Sequence, residues 1–230
     1  MPLPADSAEP LVLTVPGLGG SGPEHWQTLW ERQRPDCRRV ELGMWDRPHR
    51  NTWVNQLNLA IHRAGRPVVL AAHSLGCLAV AWWAKYEQPA PAYAQGGVVG
   101  ALLVAPPEVD FFPLDERLSQ FAPTPEEVLP FRSILVASRN DPYMGIRAAR
   151  RLARAWGSEF ADAGEAGHIN AASGLSDWAF GRFLLDRLIH PQASDPQVDL
   201  QGAGAERKAA SGLGASGEVT RLAHGRGLRL

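Results

Sequence analysis

Apolar residues in this chain form two kinds of run, and the two kinds alternate. Short, nearly unbroken Val/Leu/Ile runs occur at 11–15 (LVLTV), 66–72 (RPVVLAA), 96–106 (GGVVGALLVAP) and 132–138 (RSILVAS). Weaker runs lie at 38–42 (RRVEL) and 158–163 (SEFADA). Between them are segments of helical period: 24–33 (EHWQTLWERQ, with Trp26 and Trp30 spaced i, i+4), 52–64 (TWVNQLNLAIHRA), 75–86 (LGCLAVAWWAKY), 144–157 and 175–189. Strands that are apolar on both faces and joined by helices predict an α/β fold. Its sheet is mostly parallel, of about six strands, and covered by helices on both faces. The segment 75–86 is apolar nearly all round, so it should be buried. Gly22-Pro23-Glu24 suits a helix start with proline in first position. Asn51 or Thr52 offers an N-cap for the second helix, and Gly157 a stop for the fourth.

The pattern fades at both ends. Residues 1–9 carry no apolar period and are expected to be flexible. From His190 the chain is rich in Gly, Ala, Ser and Arg, so residues 191–230 predict a disordered tail that cannot bury enough surface to offset its ordering entropy. The domain is then residues 10–190.

Composition narrows the function classes. The 230 residues carry a formal charge of −1, which gives no electrostatic reason to expect nucleic acid or an anionic membrane as partner. Two cysteines, Cys37 and Cys77, make no disulfide framework and suit a reducing compartment. MPLPADSAEP lacks the basic-then-apolar order of a signal peptide. The expectation is a cytoplasmic monomer that acts on a small molecule. Of the eight tryptophans, Trp26, Trp45 and Trp53 sit beside loops and are candidates to line a pocket.

Chemistry enters at two turns. After the first strand, Gly17-x-Gly19-x-x-Gly22 matches a dinucleotide-binding turn, and Glu41 stands where such folds hold a ribose. Pro23 argues against that reading, because a proline would delete an amide in the first turns of the helix. After the third strand, Ala72-His73-Ser74-Leu75-Gly76 lies at a strand-to-helix junction, where a nucleophile elbow G-x-S-x-G belongs. The turn is sharp, so it demands small residues two before and two after the serine. Ala72 adds one methyl group to that pattern.

An acid and then a histidine should follow such a serine in the chain. Asp141 falls in the loop after the fifth strand, and His168 in the loop after the sixth. Catalytic groups of open α/β sheets gather at the carboxyl ends of the strands, so Ser74, Asp141 and His168 can converge there. Asp110 is the reserve acid. His25 precedes the serine, and His73 is expected to point away from it. The backbone amides of Leu18 and Leu75 are the candidate oxyanion donors, with glycines letting the first loop turn its N–H groups inward. Between LLVAPPEVD and RSILVAS the chain is too short for a large helical cap. Phe111, Phe112 and Leu114 can supply one apolar wall there. No metal-ligand cluster is visible, and no cofactor is expected.

VPGLGGSGPEHWQTLWE, AHSLGC, LVAPPEVD, ASRNDPYM and GHINAASGLSDW together resemble the small α/β-hydrolase family of YdeN-like proteins and the retinoblastoma-binding serine hydrolase. The resemblance spans nearly the whole domain. It implies a compact hydrolase fold with minimal cap, Ser74 as nucleophile, His168 as base and Asp141 as orienting acid. The activity implied is hydrolysis of a small carboxylic ester, or less readily an amide, through an acyl-enzyme. The retinoblastoma-binding motif Leu-x-Cys-x-Glu is not carried over, since Leu75 and Cys77 are followed by Ala79 in place of glutamate. Two other classes remain open: a regulatory binding protein of the same fold that does little chemistry, and a nucleotide-dependent reductase.

Overall fold

The computed structural model describes residues 9–87, 97–111 and 113–191. The expectations for residues 1–8, for Phe112 and for the tail from 192 onward lie outside the described residues. Six strands form one parallel sheet: β1 (Leu11–Val15), β2 (Cys37–Arg39), β3 (Pro67–His73), β4 (Gly97–Val104), β5 (Arg132–Ala137) and β6 (Glu159–Asp162), in the order β2-β1-β3-β4-β5-β6. The register pairs Val15 with Ala72, His73 with Val104 and Ala137 with Asp162, so the carboxyl ends of the four central strands and β6 share one edge.

Among the described residues five α-helices cover the sheet: α1 (Trp26–Gln33), α2 (Arg50–Ala64), α3 (Leu75–Glu87), α4 (Ile146–Trp156) and α5 (Ala179–Ile189). Alternate strand residues point to opposite faces. Leu11, Leu13 and Val15 of β1 join Leu70, Leu103 and Leu135 under α2, α3 and α4. Val12 joins Val69, Leu102 and Val136 under α1 and α5. That two-sided packing is why the strands are apolar without interruption. It is also why α3, held between α2 and the sheet, has ten buried residues, Leu75 through Ala84.

Two helix starts differ from expectation. Pro23 precedes α1 in a turn, and the helix begins three residues later at Trp26, with His25 as N-cap. Nδ1 of His25 accepts from the Gln27 amide at 3.2 Å, a capping bond of the kind Ser or Asp usually makes. Helix α2 begins at Arg50 behind His49, which makes no side-chain cap bond, so neither Asn51 nor Thr52 is the cap. Gly157 ends α4 as expected, and Gly65 ends α2 in the same left-handed conformation. Among the described residues between β4 and β5, the one helical element is a short 3-10 helix, Glu116–Phe121.

Candidate active site

Ser74 joins β3 to α3 and has φ 53°, a left-handed value that a serine holds only when its surroundings enforce it. Two contacts enforce it. The Ser74 amide donates to Val104 O at 2.8 Å, and Ser74 O accepts from the Cys77 amide at 2.9 Å. Gly76 lets the elbow close. A Cβ there would lie 2.3 Å from Val15 O and 2.7 Å from Pro16 O, so only glycine fits. Ala72, by contrast, is fully buried with its methyl accommodated, which explains why alanine can replace the first glycine of the pattern.

His168 lies in the loop after β6, and its Nε2 is 2.9 Å from Ser74 Oγ. Its Nδ1 is 3.0 and 2.9 Å from the two carboxylate oxygens of Asp141. A carboxylate can only accept, so Nδ1 carries the ring proton. Nε2 is then free to accept from the serine hydroxyl. The Asp141 side chain is 2% exposed and that of His168 10%, so the pair is largely shielded from water. Asp141 Oδ1 also accepts from the Tyr143 amide at 2.9 Å, which fixes the carboxylate's orientation. The Tyr143 ring lies 4.3 Å from the His168 ring, centroid to centroid, and covers it.

The glycine loop after β1 lies against this group. A Cβ on Gly17 would stand 2.8 Å from Ser74 Cβ and 3.3 Å from the Leu75 amide nitrogen. Leu75 opens α3, so its N–H has no acceptor within the helix. The loop is fixed from behind. Gly19 N donates to Trp45 O at 2.9 Å, and the buried Gln27 amide donates to both Val15 O and Ala71 O while accepting from Ser21 Oγ. Glu41, the mimic of a ribose ligand, is exposed, and the loop it would serve is occupied by the Ser74 elbow.

Other candidates fall elsewhere. Asp110 is exposed and accepts from the Thr124 amide at 2.9 Å, bracing the stretch between β4 and β5. Phe111 is 77% exposed beside it. Trp26 and Trp53 are core residues, 1% and 0% exposed, whereas Trp45 packs its ring over Gly20. Cys77 is fully buried with Sγ 3.4 Å from Val104 O, and burial pushes its thiol above its ordinary range. A surface hollow lined by Asn51, Val54, Asn55, Tyr86 and Glu87 shares no residue with this edge of the sheet.

Sequence reasoning did not find the partners of two histidines. His73 Nε2 is 2.9 Å from the carbonyl oxygen of His168, and the His25 ring stacks edge-on against His73 at 4.6 Å. Burial, reinforced by Arg39 and His168, pushes His25 down to about 4. Burial likewise holds His73 well below the usual histidine range. Both are therefore neutral around pH 7. The proximity of His73 to Ser74 in sequence was the available signal, but the carbonyl it bonds lies 95 residues away.

Six parallel strands with helices on both faces, and a serine on a strained strand-to-helix turn at their carboxyl edge, define an α/β hydrolase. The serine hydrolase family model matches residues 12–187, and the chain belongs to that family. A structure described as that of a YdeN-like hydrolase from Pectobacterium atrosepticum is 34% identical, covering 80% of this chain and 95% of that one with a TM-score of 0.68. The ydeN gene product of B. subtilis is 19% identical over 77% of this chain and 97% of its own, with a TM-score of 0.63. Est1E of Butyrivibrio proteoclasticus, solved with ferulic acid bound, matches 82% of this chain and 94% of its own at 13% identity and a TM-score of 0.54, a likeness of fold alone. Comparison with curated proteins gives no match. Among the described residues no helix is long and apolar enough to cross a membrane.

Proposed function

We propose that this serine hydrolase cleaves small carboxylic esters through an acyl-enzyme on Ser74, with His168 as general base and Asp141 as its orienting acid. The observation that carries the proposal is the unbroken hydrogen-bond chain from Ser74 Oγ through both ring nitrogens of His168 to Asp141, at 2.9–3.0 Å. His168 Nε2 takes the hydroxyl proton as Ser74 Oγ attacks the ester carbonyl. Asp141 holds the tautomer and stabilises the imidazolium that forms. The amides of Leu18 and Leu75 receive the oxyanion, each worth about 3 kcal/mol in the transition state. The imidazolium then returns its proton to the leaving alkoxide. Water activated by the same base attacks the acyl carbon and releases the acid.

Small substrates follow from the short segment between β4 and β5, which builds no large helical cap over the serine, with Phe111 and Phe112 read as one apolar wall. The protein is read as a cytoplasmic monomer, in keeping with Cys37 and Cys77 as free thiols. A chain ending at Pro191 is expected to keep the activity. The experiment is a p-nitrophenyl ester series from acetate to dodecanoate with the parent, Ser74→Ala, His168→Ala and the double variant. Short chains should turn over fastest, each single variant should be inactive, and the double variant should be no worse than either, since the residues act as a unit. A preference for dodecanoate would reject the small-substrate reading, and an active Ser74→Ala would reject the mechanism.

A further inference from the structure

Trp26, just after the glycine loop, and His73, beside the nucleophile, play no part in the chemistry just described, yet both reach the site from behind. Trp26 Nε1 donates to Ile169 O at 2.9 Å, spanning 143 residues of sequence. His73 Nε2 meets His168 O at 2.9 Å; a carbonyl only accepts, so the neutral ring carries its proton on Nε2 and donates. On the other side, Asn140 Oδ1 accepts from the Gly167 amide at 2.7 Å. Three side chains from three elements thus hold the main chain of three successive residues, with His168 in the middle.

That stretch needs holding. Gly167 and Ile169 both have positive φ, 56° and 49°, on either side of His168. For glycine this is ordinary, but a β-branched residue adopts it rarely, and only where the surroundings over-determine it. Ile169 is fully buried, and its amide donates to Ala166 O at 3.1 Å, closing a tight turn on which the histidine rides. The turn points the imidazole at Ser74 only while that conformation persists.

We infer that Trp26, His73 and Asn140 are positioning residues, which clamp the strained backbone of residues 167–169 and so hold His168 at hydrogen-bond reach of Ser74. The inference rests on His168 being the base for Ser74. A misplacement of about 1 Å at a reacting group costs up to about a hundredfold in rate, so the clamp acts on the chemical step more than on substrate binding.

The test is the hydrolysis of p-nitrophenyl acetate by Trp26→Phe, His73→Phe, His73→Gln and Asn140→Ala, with Ser74→Ala alongside and melting temperatures for all. Trp26→Phe keeps a buried ring and loses only the donor. Asn140 is exposed, so its variant leaves the core intact. Trp26→Phe, His73→Phe and Asn140→Ala should each lower kcat by about tenfold or more with KM within about twofold. His73→Gln keeps an N–H at similar reach and should recover most of the loss. If the three donor-deleting or acceptor-deleting variants fold and retain kcat within about twofold while Ser74→Ala is inactive, the clamp is wrong and the mechanism stands. A loss confined to KM also overturns the clamp. Activity in Ser74→Ala overturns both.

Discussion

Gly17 stands so close to Ser74 that a Cβ added to it would lie 2.8 Å from the serine's own Cβ and 3.0 Å from the carbonyl oxygen of His73. Side chains do not approach that closely, so Gly17→Ala must move the glycine loop off the elbow and carry the Leu18 amide with it. Loss of one oxyanion donor costs about a hundredfold to a thousandfold in kcat. Esterase kinetics of Gly17→Ala should show that loss with KM little changed; full activity would mean that Leu18 is not a donor.

The other glycines of the loop separate two readings of the same motif. Gly22 has an ordinary φ and nothing within 4 Å of an added Cβ. In a dinucleotide-binding turn the third glycine is required for close packing of helix and strand. Here Gly22→Ala should leave both activity and melting temperature at parental values, within about 0.5 kcal/mol of stability.

Gly76 belongs to the fold as much as to the site, because its would-be neighbours are the backbone oxygens of Val15 and Pro16 at 2.3 and 2.7 Å. Backbone cannot step aside as a flexible side chain can. Gly76→Ala should destabilise the protein by about 3 kcal/mol, read as a lower urea midpoint with an unchanged slope.

Asp141 and Asp110 make a paired test of the acid. Asp141 contacts His168 Nδ1 through both oxygens, whereas the Asp110 carboxylate accepts from the Thr124 amide. Asp141→Asn should keep the fold and lose about ten-thousandfold in kcat, since an amide favours the wrong imidazole tautomer. Asp110→Asn should stay within about twofold of the parent. The reverse result would move the acid assignment to Asp110.

Much of this was legible in the sequence, and what was not has a common cause. The four central strands and the α-helices followed from uninterrupted or periodic apolar runs, because those strands are buried on both faces; β2, expected over 38–42, spans only Cys37–Arg39, an edge strand with Arg38 exposed. The elbow pattern around Ser74, with chain order and loop position for Asp141 and His168, put at one edge of the sheet three residues whose side chains meet there. The helix starts were not legible: His25 caps α1 in place of a first-turn proline, because its ring is buried where Nδ1 meets the Gln27 amide. Nor was the tie between Trp26 and Ile169 or between His73 and His168. Those bonds join residues 143 and 95 positions apart, and side chain-to-backbone bonds leave no mark on the identity of the accepting residue.

His25 also gives the protein an acid sensitivity. Burial pushes its pKa from 6.5 down to about 4, so the unfolded chain takes up a proton near pH 6 that the folded chain refuses. Stability from this group is complete above about pH 6.5 and falls as pH drops toward 4, by about 3 kcal/mol in total. His73, depressed in the same direction, adds to the slope. His25→Asn keeps a capping acceptor but does not titrate. Urea midpoints at pH 7 and pH 5 should therefore differ less for His25→Asn than for the parent; equal differences would place the acid sensitivity elsewhere.

A fluorophosphonate probe reacts fast only with an activated serine, so it reads directly whether Ser74 is such a nucleophile. The protein should be labelled stoichiometrically, with the added mass on the peptide containing Ser74. Labelling should vanish in Ser74→Ala and slow by orders of magnitude in His168→Ala. Undiminished labelling of Ser74→Ala, or a parent that hydrolyses esters yet resists the probe, would contradict the account.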